Sequence, residues 1–169
     1  TGSLRLFQEH VSARIKEAAA ATTSNTSKLG IAIGDQYWLV DLLEVSEVVP
    51  VPTIAAVPLV KPWFRGVTNV RGNLYSVTDA QSIMGGDITP IGSNARLLLV
   101  HNRHSLNTAI LVGRILGLKN LEDLQEQHNK KPMQWQQAEY LDRNNITWRE
   151  VDVAKLVKDP TFLQIAQTL

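Results

Sequence analysis

His101 and His104 are three residues apart, a spacing that on a helix would turn two imidazoles to one side, as metal ligands require. Their setting argues otherwise. They fall in the polar run His101-Asn102-Arg103-His104-Ser105-Leu106-Asn107 between two apolar strand-like runs, with no acidic or sulfur partner close by, so they read as solvated side chains. The chain has no cysteine, which removes disulfides, thiolate catalysis and Cys-containing zinc centres. Serine, histidine and aspartate occur singly, without a Gly-x-Ser-x-Gly elbow and without a Gly-x-x-x-x-Gly-Lys phosphate cradle. Asn25-Thr26-Ser27 and Asn145-Ile146-Thr147 match the glycosylation sequon, a motif short enough to arise by chance. No catalytic residue, metal or cofactor is expected, and the chain reads as a non-enzyme.

The stretch from Trp63 to Asp79 is the remaining place where residue types cluster. Lys61 just before it and Arg65 and Arg71 within it interleave with Trp63, Phe64 and Tyr75, a mixture that suits stacking and phosphate contacts on single-stranded nucleic acid. Against that reading stand only three cations and a formal net charge of +1, which gives no general attraction to polyanions or anionic lipid. The same residues also suit a protein-binding surface, in which Trp63, Phe64 and Arg65 are possible interface positions.

The element that positions them is a β-hairpin. Gly66 to Val70 and Leu74 to Val77 are rich in β-compatible residues, and Arg71-Gly72-Asn73 between them supplies types that tolerate positive φ. Pro50, Pro52, Pro58 and Pro62 are four of the chain's seven prolines, so an extended segment poor in backbone donors leads into the hairpin.

Glu44-Val45-Ser46-Glu47-Val48, the prolines, Phe64-Arg65-Gly66-Val67-Thr68-Asn69-Val70-Arg71-Gly72 and Val77-Thr78-Asp79 together resemble the signature of CheW-like domains, the coupling adaptors of bacterial chemosensory arrays. Within that family Lys61-Pro62-Trp63 and Asp159-Pro160-Thr161-Phe162-Leu163 are most similar to the adaptors of the type IV pilus, or twitching motility, system. The resemblance runs from about Leu29 to Phe162. Departures fall at Ser76, Val70, Ala80 and Gly113, where the family commonly has proline, leucine, leucine and aspartate. It implies a mainly β fold of two small SH3-like β-barrels sharing a core. It implies as partners the cytoplasmic tip of a methyl-accepting receptor and the regulatory domain of a CheA-type histidine kinase, with neither nucleic acid nor direct membrane insertion. By position, Val45, Gly66 and Arg71 match residues of receptor coupling, and Glu47 matches a carboxylate that pairs with the arginine. On this reading Val45 and Gly66 line a groove for a receptor helix.

Outside the hairpin, periodicity and turn residues divide the chain. With 169 residues, 44% of them hydrophobic and 20% charged, one domain with a sizeable core is expected. Residues 1–27 read as a helix from Ser3 to Ala20, its stripe formed by Leu4, Phe7, Val11, Ile15 and Ala18, followed by the polar linker Thr22 to Ser27. Residues 28–169 form the CheW-like domain. Its expected strands are Leu29–Ile33, Tyr37–Leu42, Arg96–Val100, Thr108–Val112, Arg114–Leu118, Tyr140–Leu141 and Ile146–Val151. Glu44–Val49 reads as a helical turn or a strand. Asp79 caps a short helix ending at Gly85-Gly86, Asp152 and Asp159 cap two more, and Phe162, Ile165, Ala166 and Leu169 form the last apolar face. Gln125 to Gln137 reads as a polar surface connection. No run reaches the roughly 20 apolar residues that span a bilayer, and no signal-peptide pattern opens the sequence, so a cytoplasmic location beside receptor arrays is expected.

Overall fold

The computed structural model describes residues 26–101 and 107–166. The helix expected over Ser3–Ala20, the first part of the linker, His104 and Leu169 lie outside the described residues. In chain order the strands are β1 Ser27–Ile33, β2 Gln36–Asp41, β3 Val45–Pro50, β4 Phe64–Val70 and β5 Asn73–Asp79; the one-turn helix α1 follows at Ala80–Ile83. Then come β6 Arg96–Val100, β7 Thr108–Val112, β8 Arg114–Asn120, β9 Gln125–Gln127, β10 Gln136–Leu141, β11 Thr147–Val151, α2 Val153–Lys158 and α3 Pro160–Leu163.

These strands make two sheets. One has the order β8-β1-β2-β11-β10-β9, the other β3-β6-β7-β5-β4. The second is built from a continuous piece of chain and is nested inside the first, whose parallel junction pairs Tyr37 of β2 with Trp148 of β11.

Side-chain alternation divides the apolar residues into three cores. Leu29, Ile31 and Ile33 of β1 and Trp38 and Val40 of β2 pack against Leu98, Val100, Ile110 and Val112 of the other sheet. The opposite face of the five-stranded sheet gathers Val49, Val70, Val77, Leu97, Leu99 and Leu111. The opposite face of the six-stranded sheet gathers Leu39, Tyr140 and Trp148. Each sheet therefore curls around a small core of its own and shares a third with its neighbour.

The expectation of two barrels is corrected in one respect: neither sheet closes. β3 and β4 end the five-stranded sheet, and β8 and β9 end the six-stranded one. Across the first gap runs a single antiparallel bridge, Ala55 with Val67, instead of a continuous ladder. The prolines at 50, 52 and 58 explain this, because a segment short of N–H donors cannot extend a ladder.

Local chemistry sets the ends of elements as the sequence suggests. Asp79 accepts from Ser82 N at the start of α1, Asp152 from Lys155 N before α2, and Asp159 from Thr161 N before α3 with Pro160 in the first helical position. Glu44–Val49 turns out to be both alternatives in succession, a 3-10 turn over Leu42–Glu44 and then β3. The last helix is shorter than its apolar spacing suggests. It stops at Leu163, and Ala166 pairs with Val60 while Lys61 N donates to Ile165 O at 2.9 Å.

Gln125 to Gln137 is not a plain surface connection. It supplies β9, and it buries Trp135 completely at φ 63°. Composition hid this residue because one ring among glutamines and lysines leaves no period. The ring is held by its polar edge: Trp135 Nε1 donates to Asp159 Oδ2 at 2.9 Å, as Trp148 Nε1 does to Asp142 Oδ2 at 3.0 Å. Each bond favours the ionised acid, so the indole donor comes first among the causes that hold both aspartates below the usual carboxylate range. The stabilisation is present above the ordinary carboxylate pKa and is lost as pH falls through the lowered value. Trp135→Phe is expected to return the Asp159 titration upward toward 3.8, read by carbon-detected NMR of the side-chain carboxyl. An unmoved titration would remove the indole as the cause.

Candidate functional site

The hairpin β4–β5 turns through two residues, with Val70 paired to Asn73. Arg71 and Gly72 both have positive φ, at 50° and 86°, the geometry of the hairpin turns that match strand twist. Asn69 Oδ1 accepts from Gly72 N at 2.9 Å and holds the turn. Arg71 is a costly residue for this conformation, since a side chain there crowds its own backbone. Its guanidinium is used: Nη1 donates to Glu47 Oε1 at 2.7 Å, and Nη2 pairs with Glu47 Oε2.

Glu47 reaches that point through a β-bulge. Val45 pairs with Val100 and Glu47 with Leu99, so Ser46 is the extra residue, and its hydroxyl donates to Leu99 O at 3.2 Å. The bulge changes the phase of β3. Val45 and Val48 face the core shared by the sheets, while Glu47 and Val49 lie on the face that lines the inside of the curled five-stranded sheet. The pair therefore ties the two open margins of that sheet, the β3 side to the β4–β5 turn. Glu47 keeps 11% of its side-chain exposure and Arg71 49%.

Gly66 and Val45 are both buried. Gly66 has φ 128°, and a Cβ on it would lie 2.1 Å from the carbonyl oxygen of Ala55. The close approach expected of a partner is made by the chain's own proline-rich segment, with Ala55 N donating to Val67 O at 2.8 Å and Val67 N to Ala55 O at 3.0 Å. Val45 is buried, and its side chain lines a small apolar cavity with Ile31, Val40, Leu98 and Val100. Neither residue is exposed: Gly66 lies under the 53–56 segment and Val45 in the shared core.

Trp63 and Phe64 are buried as well, Trp63 stacked on Phe162 with ring centroids 6.3 Å apart. Trp63 anchors the start of the hairpin to α3, and neither ring is exposed.

Arg65 belongs to a polar knot that the sequence did not announce. Phe64 pairs with Thr78 and Gly66 with Val77, which makes Arg65 a bulge residue and aims it sideways. Arg65 Nη1 donates to Asp79 Oδ2 and to Thr89 O, both at 2.9 Å. Asp79, with no exposure at all, also accepts from Thr89 N and Thr89 Oγ1, each at 2.7 Å. Asp79 in the Val77-Thr78-Asp79 motif was a visible signal. Thr89, in a loop ten residues on, carried none.

With Trp63 and Phe64 inside and Arg65 and Arg71 each bonded to a carboxylate, the stacking rings and cations imagined for nucleic acid do not form one surface. Among the described residues no group of three or more His, Cys, Asp or Glu side chains is placed to hold a metal ion, and no helix is long and apolar enough to cross a membrane.

Comparison with known proteins agrees with this architecture. In sequence the chain is 29% identical over 94 residues to Protein PilI of Pseudomonas aeruginosa, an alignment covering 56% of this chain and 52% of PilI. The chain thus matches about half the length of that relative. In structure it is similar to the scaffolding protein TtCheW of Thermoanaerobacter tengcongensis, with a TM-score of 0.68 at 12% identity over 83% of this chain and 93% of that one. A family model described as the CheW-like domain matches residues 28–160, from the second residue of β1 to the first of α3. Nested sheets, bulged β3 and braced hairpin all fall inside that span, and the chain belongs to the CheW-like domain family.

Proposed function

We propose that this chain is a non-catalytic chemosensory adaptor that couples the cytoplasmic tip of a methyl-accepting receptor to the regulatory domain of a CheA-type histidine kinase. In this reading it serves signalling through type IV pili and twitching motility, at the cytoplasmic side of membrane receptor arrays, and its 29% identity to PilI over 94 residues is what supports that placement. The family match over residues 28–160 carries the reading. What supports the coupling site is the Arg71–Glu47 brace, which fixes an exposed turn to the start of a bulged strand. The brace sets the shape of the surface that a receptor helix meets, and Val45 and Gly66 set it from behind.

The test is capture of the full chain by a receptor tip fragment and by a kinase regulatory domain, with Arg71→Ala alongside wild type. An exposed ion pair contributes about 0.2–1 kcal/mol, so the variant's melting temperature should fall by no more than roughly 4 °C. Receptor capture should weaken about tenfold, the equivalent of ~1.4 kcal/mol. Wild type that binds neither fragment overturns the adaptor reading. Unchanged receptor capture by Arg71→Ala overturns the site assignment alone.

A further inference from the structure

The longest run of the chain without a charged residue, Val48 to Val60, carries an apolar surface on the outside of the molecule. Residues 55–59, Ala-Ala-Val-Pro-Leu, are exposed one after another, Leu59 to 68%. Leu163, 53% exposed, lies beside them, because Val60 pairs with Ala166 and Lys61 N donates to Ile165 O. Single apolar side chains on a surface are ordinary, whereas a contiguous set marks a place of contact.

Leu59 is also strained. Pro58 and Leu59 are the two central residues of a turn, and Leu59 has φ 60°, a position that glycine or asparagine fills more easily. With most of its side chain in solvent, packing inside the chain does not offset that strain. Its support is firm. Thr68 Oγ1 donates to Thr53 O at 2.8 Å, both Ala55–Val67 bonds hold the 53–56 segment to β4, and Ile54 packs on the inner core from behind. A strained and exposed leucine on a fixed support is preorganised for a contact outside the chain.

Charge narrows what makes that contact. Lys61 follows the uncharged run, and Lys158 precedes Asp159, whose backbone oxygen accepts from Leu163 N at 3.1 Å. Among the described residues neither lysine has a salt-bridge partner, while the Asp159 carboxylate is engaged by Trp135 Nε1 and Thr161 N. An apolar patch with two unpaired cations at its rim suits apolar side chains flanked by carboxylates.

We infer, on the adaptor reading above, that residues 55–59 and Leu163 are the surface on which the receptor tip lands. Leu59 is its apolar anchor, and Lys61 and Lys158 meet carboxylates of the receptor. Gly66 contributes by letting the 53–56 segment lie close on β4.

The full chain tests this with the receptor tip fragment as probe. Leu59→Asn suits φ 60° and should melt no lower than wild type, yet weaken receptor capture about tenfold. Wild-type capture should tighten as salt is lowered, and capture by Lys61→Glu with Lys158→Glu should not. Undiminished capture by Leu59→Asn, or an equal salt response in the charge variant, overturns the assignment of this surface and leaves the adaptor reading standing. Wild type that holds the kinase regulatory domain but not the receptor fragment overturns both. A wild-type dimer that Leu59→Asn turns into a monomer gives the patch to a second copy, and flotation on anionic vesicles that Leu59→Asn abolishes gives it to lipid; either overturns the inference.

Discussion

Gly66→Ala is expected to lower the melting temperature by roughly 5–10 °C, from a loss of about 2–4 kcal/mol in a domain of this size. Two causes act together. The residue sits at φ 128°, where an L side chain is strained, and the added Cβ would meet Ala55 O at 2.1 Å and Ala55 C at 2.8 Å. Backbone is what it meets, so no rotamer change relieves the clash. The 53–56 segment has to lift from β4, breaking both Ala55–Val67 hydrogen bonds. Hydrogen exchange at the Ala55 and Val67 amides should accelerate more than exchange in the six-stranded sheet. Receptor capture should fall through displacement of this segment, even though a methyl group is too small to fill any groove. A variant with wild-type melting and wild-type protection at those amides would refute the account.

Asp79→Ala should destabilise the fold by roughly 3–5 kcal/mol, because it leaves a partly buried guanidinium and buried donors without their acceptor. Thr89 N, Thr89 Oγ1, Arg65 Nη1 and Ser82 N all lose a partner at once. Thr89 is the one buried residue in the otherwise exposed stretch from Gly85 to Ser93, so the loop it pins should become a site of limited proteolysis. Asp79→Asn keeps one acceptor oxygen and should retain part of the stability. Denaturant midpoints for Asp79→Ala, Arg65→Ala and the double variant measure the coupling. If the two single losses simply add, the knot is not a unit.

Most strands were legible because their residue types agree with their environment. The β-compatible runs of β1 and β2 on either side of Gly34-Asp35 and the apolar runs of β6 and β7 agree with strands buried on both faces. The Arg71–Glu47 contact was legible only through the family resemblance, and the two residues do meet. The direction in which side chains face was not legible. Two bulges, at Ser46 and Arg65, shift the phase of β3 and β4, and a strict period of two would place Val45 and Glu47 on one side. Nor could spacing reveal that Gly66 is covered by a segment eleven residues earlier. The meeting of Ala55 with Val67 depends on how sharply the sheet curls, which no local pattern encodes.

The nesting of one sheet inside the other orders events during synthesis. Residues 45–112 can complete their five strands while the ribosome is still making the rest of the chain, since every partner of β3 to β7 lies within that interval. β1 and β2 must wait for β8 and β11, and until Trp148 emerges the first hairpin holds Tyr37 and Leu39 without the aromatic core they share with it. The nascent protein is therefore most prone to aggregate at its earliest strands, in the interval before its last third leaves the exit tunnel.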